Sequence, residues 1–173
     1  VVKRSDDITI ANAISGSGTF TQAGTGKILF ANNNAGYTGQ TYVNAGILSF
    51  GTPSTSGIAE TQYWSSQFNI AAGAVLDFNS PTGVKLNNQG TIFTGAGTIT
   101  KTGGGGLMWN LTHTYFELLA GSLIDVKEGF MTGSASYHGK WTNNLSSLNV
   151  AAGASFLGAE SDTRVDALTG AGS

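Results

Sequence analysis

Apolar and polar positions alternate along this chain in short runs, and the runs return in a fixed order. An aliphatic residue, one or two small residues and a Gly precede each run. Examples are Val43-Asn44-Ala45-Gly46-Ile47-Leu48-Ser49-Phe50, Ile70-Ala71-Ala72-Gly73-Ala74-Val75-Leu76, Leu118-Leu119-Ala120-Gly121-Ser122-Leu123-Ile124 and Val150-Ala151-Ala152-Gly153-Ala154-Ser155-Phe156. A sister form reads Ile14-Ser15-Gly16-Ser17-Gly18-Thr19-Phe20, Phe93-Thr94-Gly95-Ala96-Gly97-Thr98-Ile99 and Leu168-Thr169-Gly170-Ala171-Gly172-Ser173. The last Gly of each tag falls at 18, 46, 73, 97, 121, 153 and 172, so successive steps are 28, 27, 24, 24, 32 and 19. Steps of roughly 20–30 residues suit one coil of a β-solenoid. Residues i and i+2 of a strand share a face, so each tag turns its apolar members inward. Two columns follow: Phe20, Leu48, Val75, Ile99, Leu123 and Ser155 after the Gly, and Ile14, Val43, Ile70, Phe93, Leu118, Val150 and Leu168 before it. The pattern predicts an all-β, right-handed parallel β-helix of about seven irregular coils. An antiparallel sandwich also uses short strands, but the tags lack the Asn-Gly and Asp-Gly pairs that mark hairpins.

Composition narrows the function classes. The 173 residues suffice for one domain, and 26 of them are Gly, which fits a turn-rich chain. No segment carries the i, i+3, i+4 spacing of an amphipathic helix. Only 10% of residues are charged and the formal net charge is −2, which argues against a nucleic-acid partner and against attachment to anionic lipid. No apolar run is long enough to span a bilayer as a helix. Absence of Cys removes disulfides, thiolate zinc sites and thiol catalysis. The chain opens at Val1 and ends inside a tag at Ser173, so residues 1–173 are expected to be one β-helix module excised from a longer secreted polypeptide, and the missing signal peptide says nothing.

Three intervals between tags carry extra sequence: Thr52 to Gln67, Gly105 to Glu117 and Lys127 to Asn144. Each holds one of the three Trp, namely Trp64, Trp109 and Trp141. Trp109 and Trp141 both lie twelve residues before their Gly, and Trp64 lies nine before its own. Equal phase in a solenoid means the same side of the coil, so the three indoles are expected on one face. Trp64 and Trp109, two rungs apart, would be separated by about 9–10 Å, near the two-ring repeat of a β-1,4-linked sugar chain. An aromatic face packs against the axial C–H groups of a pyranose while its hydroxyls stay wet. Tyr63, Tyr137, Asn110 and Lys140 stand beside the Trp positions as polar or secondary contacts. The competing expectation is that each Trp supplies a small core for its own interval. Phe68 and Phe116 are expected to stack inside.

Catalysis has little support. Asp77 and Asp125 each lie four residues after a tag Gly, so they share a column two rungs apart, too loosely spaced for an acid/base pair or a metal. His113 and His138 lack a third ligand for a transition metal. Gly103-Gly104-Gly105-Gly106 lacks the Lys-Ser/Thr and helix of a phosphate loop. The chain is therefore expected to be no enzyme and to need no cofactor or metal.

Residues Ile14–Gly24, Tyr37–Leu48 and Phe93–Gly103 resemble the β-strand repeat of autotransporter passenger domains. That resemblance implies a parallel β-helix from a secreted or cell-surface bacterial protein. More weakly, a short β-helix with Trp-bearing intervals is similar to the β-helical, xylan-binding carbohydrate-binding modules of gut-bacterial xylanases. It implies a monomeric, non-catalytic module that holds a plant polysaccharide, xylan first, beside a tethered glycoside hydrolase domain. A structural or adhesin segment of a passenger domain is the alternative, and a polysaccharide lyase a more distant one.

Overall fold

The computed structural model describes residues 1–32, 36–51, 57–59, 66–88, 91–109, 114–134, 140–158 and 162–173. None of them is helical, and they form strands in three parallel sheets that close into a β-solenoid. The long sheet has eight strands: β1 (Ile8–Ile10), β3 (Lys27–Phe30), β5 (Ile47–Phe50), β8 (Val75–Asn79), β11 (Thr98–Thr102), β14 (Leu123–Val126), β16 (Ser147–Val150) and β18 (Leu168–Gly170). A first short sheet holds β2 (Phe20–Gln22), β4 (Gln40–Val43), β7 (Gln67–Ile70), β10 (Ile92–Gly95) and β13 (Tyr115–Leu118). A second holds β6 (Gly57–Ala59), β9 (Val84–Asn88), β12 (Gly106–Trp109), β15 (Phe130–Ser134) and β17 (Ser155–Leu157). The chain runs from the first short sheet to the long sheet to the second short sheet and back. Each short sheet has five strands, so there are about five turns where the tags predicted about seven.

The expected columns hold in part: Leu48 and Ile99 face inward, but Val75 and Leu123 pair with Ile47 and Thr98 on the outer face, so Leu76 and Ile124, one residue further on, take the inward places, and Leu168 is exposed. Ile28, Leu48, Leu76, Ile99, Ile124 and Leu148 stand in register along the long sheet and are all buried. Phe68, Phe93 and Phe116 form a second column in the first short sheet, each fully buried and stacked at centroid spacings of 5.5 and 5.2 Å. Their burial is as the sequence led us to expect. Alternation explains both: the intervening Asn69, Thr94 and Glu117, and Ser49, Asp77 and Thr100, point to the other side of the pleat.

The tags are not equivalent at every coil. Gly46, Gly73, Gly97 and Gly121 lie at the corner between the first short sheet and the long sheet, whereas Gly153 and Gly172 lie at the next corner, between the long and second short sheets. The 32-residue step from Gly121 to Gly153 is one coil plus one further corner. In the first short sheet a turn over Lys140–Asn143 takes the place of a strand there: the Phe116 amide donates to the Lys140 carbonyl and the Leu145 amide to that of Leu118.

The two corners are built alike. Gly97 N–H donates to Ile70 O at 2.9 Å and Gly172 N–H to Val150 O at 3.0 Å. Thr98 and Ser173 then donate to Ala74 and Ala154. Gly95 and Gly170 have φ of 97° and 106°, and a Cβ on either would overlap the carbonyl of the residue beneath, Ile70 or Val150. Only Gly accepts both the backbone angle and the contact.

Candidate functional site

The structure moves two of the three tryptophans off the surface. Trp109 and Trp141 are both 0% exposed, which corrects the expectation that they stack on a sugar. Trp109 follows Leu107 on β12 by two residues, so alternation turns it inward. It meets the rings of Phe78, Phe93 and Phe116 edge-on at 5.1 to 5.6 Å. Trp141 rides on the Lys140–Asn143 turn and lies flat on Phe116, with centroids 4.0 Å apart, closing that column. Nor do the two share a phase. Trp109 belongs to the second short sheet and Trp141 lies above the first, because the tag had moved by one corner between Gly121 and Gly153. Trp64, Tyr63, Tyr137 and Asn110 lie outside the described residues, as do His113 and His138.

Lys140 is buried rather than offered to a ligand. Its Nζ sits 3.8 Å from the centroid of the Tyr115 ring, a cation–π contact that covers this face of the phenol. Among the described residues no three His, Cys, Asp or Glu converge as a metal site.

The outer faces of the sheets carry ordered polar ladders. On the first short sheet Gln40 Nε2 donates to Gln67 Oε1 at 3.3 Å, and Gln67 and Asn69 both donate to Thr94 Oγ1. Tyr42 OH donates to Gln40 Oε1 at 3.1 Å. The long sheet carries a tighter ladder. Asp77, Thr100 and Asp125 share one outward column, as the sequence predicted for the two acids. Ser49 Oγ donates to Asp77 Oδ2 at 2.7 Å, and Thr100 and Thr102 hydroxyls donate to Oδ1 at 2.8 Å each. Asn149 Nδ2 donates to Asp125 Oδ1 at 2.7 Å, and Thr169 Oγ1 donates to Asn149 Oδ1 at 3.0 Å. Lys127 Nζ lies 3.7 Å from Asp125 Oδ2. Around this ladder is a trough of about 580 Å³.

The hydroxyl and amide members of the ladder were not singled out from the sequence. For Ser49, Thr100 and Asn149 the signal was there: like Asp77 and Asp125, each stands one residue after a Leu or Ile of the buried column, in Leu48-Ser49, Leu76-Asp77, Ile99-Thr100, Ile124-Asp125 and Leu148-Asn149. The same alignment flags Lys101, two residues after Ile99 where Phe50 and Phe78 stand in other coils. It is 1% exposed. Its ammonium donates to the carbonyls of Thr102, Gly103 and Glu128 at 2.7, 2.6 and 3.2 Å. Burial pulls its pKa down from the ordinary 10.5 to about 8, against the opposing pull of Asp77 and Glu128.

No protein-family profile, curated protein or solved structure matches the chain. The residues themselves therefore carry the functional argument.

Proposed function

We propose that this chain is a non-catalytic structural segment, a β-solenoid stem from a secreted or surface-displayed bacterial polypeptide of the passenger kind that its repeats resemble. The observation that carries the reading is the complete burial of Trp109 and Trp141. Large aromatics have gone into coil-to-coil stacking, where each ring contributes burial plus ring–ring geometry. The recurrence of one seating arrangement at Gly95/Gly97 and Gly170/Gly172 supports it, since a seating used at two corners is suited to extension. Xylan stacking on a tryptophan platform loses two of its three members and with them its spacing.

The test is quenching of Trp fluorescence by iodide in a Trp64→Phe variant, which leaves only Trp109 and Trp141. A stem of this construction gives a Stern–Volmer slope far below that of free N-acetyltryptophanamide. A slope close to the free compound overturns the reading.

A further inference from the structure

We propose, beyond the stem role, that the outer face of the long sheet binds a neutral, β-linked polysaccharide chain in the trough above Asp77 and Asp125, away from every tryptophan. The trough reaches from Lys27 on β3 to Leu123 on β14. That span is four strand spacings, about 19 Å, and a β-linked pyranose advances by about one such spacing. One wall is apolar: Ile47, Val75 and Leu123 stand in one outward column, interrupted by Thr98, and all are half-exposed. The floor is Asp77, Thr100 and Asp125, and Lys127 stands on the far side. A sugar ring has the matching halves, an apolar C–H face and a rim of hydroxyls that both donate and accept.

The acids are held but not used up. A carboxylate offers about four acceptor sites. Asp77 fills three, with Thr100, Thr102 and Ser49. Asp125 accepts from Asn149 on Oδ1, and its other oxygen lies 3.7 Å from Lys127 Nζ, beyond hydrogen-bond length. Rigid acceptors lose little freedom when a ligand arrives. Other occupants fit less well. Lys27 and Lys127 balance the two carboxylates in the lining, so the trough has no net charge to favour a uronate or a phosphate over a neutral ring. A peptide strand adds to a sheet edge through its backbone, but β5, β8, β11 and β14 each have a neighbour on both sides, so this face is read by side chains alone.

The test titrates ¹⁵N-labelled protein with xylohexaose, cellohexaose and mannohexaose, and with oligogalacturonate. At least one neutral sugar is expected to shift amide resonances of β8, β11 and β14. Asp125→Asn and Leu123→Ala should each weaken that binding by about tenfold, while Tyr42→Ala on the first short sheet leaves it unchanged. Oligogalacturonate should bind more weakly than the neutral sugar. Silence from all three neutral sugars at millimolar concentration, shifts confined to another face, or full affinity in Asp125→Asn overturns the proposal. Asp125→Asn keeps the side-chain shape, and its unbound spectrum reports whether the fold is intact.

Discussion

Two interior columns run side by side through this solenoid and end differently. In the first short sheet Phe68, Phe93 and Phe116 stack without interruption until Trp141 closes the pile. In the long sheet Phe30, Phe50 and Phe78 stack at 5.5 and 5.8 Å, and then the next position is Lys101. The first column shows what stacking alone provides: Phe93 and Phe116 each bury both faces against stacked rings. The second shows the condition on which a charge replaces a ring. Lys101 stands next to the corner that carries Gly103, and its ammonium reaches three carbonyls there. A buried ammonium without such acceptors would cost several kcal/mol. Apolar burial and carbonyl capping are thus alternative solutions at the same position of successive coils.

The comparison breaks most visibly at a ring that links both columns. Phe93 touches Phe68, Phe78, Trp109 and Phe116, so Phe93→Ala should lose about 3–5 kcal/mol in urea unfolding. Lys101→Ala should follow at about 2–3 kcal/mol, since it removes the stem and leaves carbonyls without a donor. Lys101→Met restores the stem alone and should recover part of that loss. If Lys101→Ala unfolds at the same urea concentration as wild type, the capping role is wrong. Trp141→Phe should cost about 1 kcal/mol, because a smaller ring still covers Phe116.

The pH profile offers the finest distinction. Below pH about 8, Lys101 is charged in both states and adds no pH dependence. Between about 8 and its ordinary 10.5, the unfolded chain holds the extra proton, so this residue makes stability rise with pH. Above that window the contribution levels off. The expected signature is a rise in the denaturation midpoint of wild type relative to Lys101→Met across the window. A fall, or identical slopes, contradicts it.

Much of this architecture was legible in residue order. Period-two alternation and the return of Gly placed Phe68, Phe93, Phe116, Leu48 and Ile99 inward, because a strand offers only two faces, but a one-residue difference in the distance from Gly to strand put Val75 and Leu123 there in place of Leu76 and Ile124. The carboxylate column of Asp77 and Asp125 emerged the same way. The side on which Trp109 and Trp141 stand did not. Distance to the next Gly measures length along the chain, and the tag signals a corner without saying which corner. A step of 32 after two steps of 24 was the available sign that a corner had been skipped. Polar neighbours also misled: an indole among Gly, Ser and Thr looks exposed in sequence, yet alternation on β12 points it at Phe93.

The corner that slips has a consequence for how such a chain can be lengthened. The Ala-Ala-Gly-Ala turn at Ile70–Val75 and at Val150–Ser155 makes the same internal hydrogen bond, Ala74 to Ala71 and Ala154 to Ala151, at 3.0 and 2.9 Å, while facing different sheets. The interchangeable part is therefore an edge of the triangular cross-section and not a whole lap around it. Segments can be joined a third of a lap at a time. Each such junction rotates everything downstream by one side, carrying any outward ladder from one flank of the rod to the next.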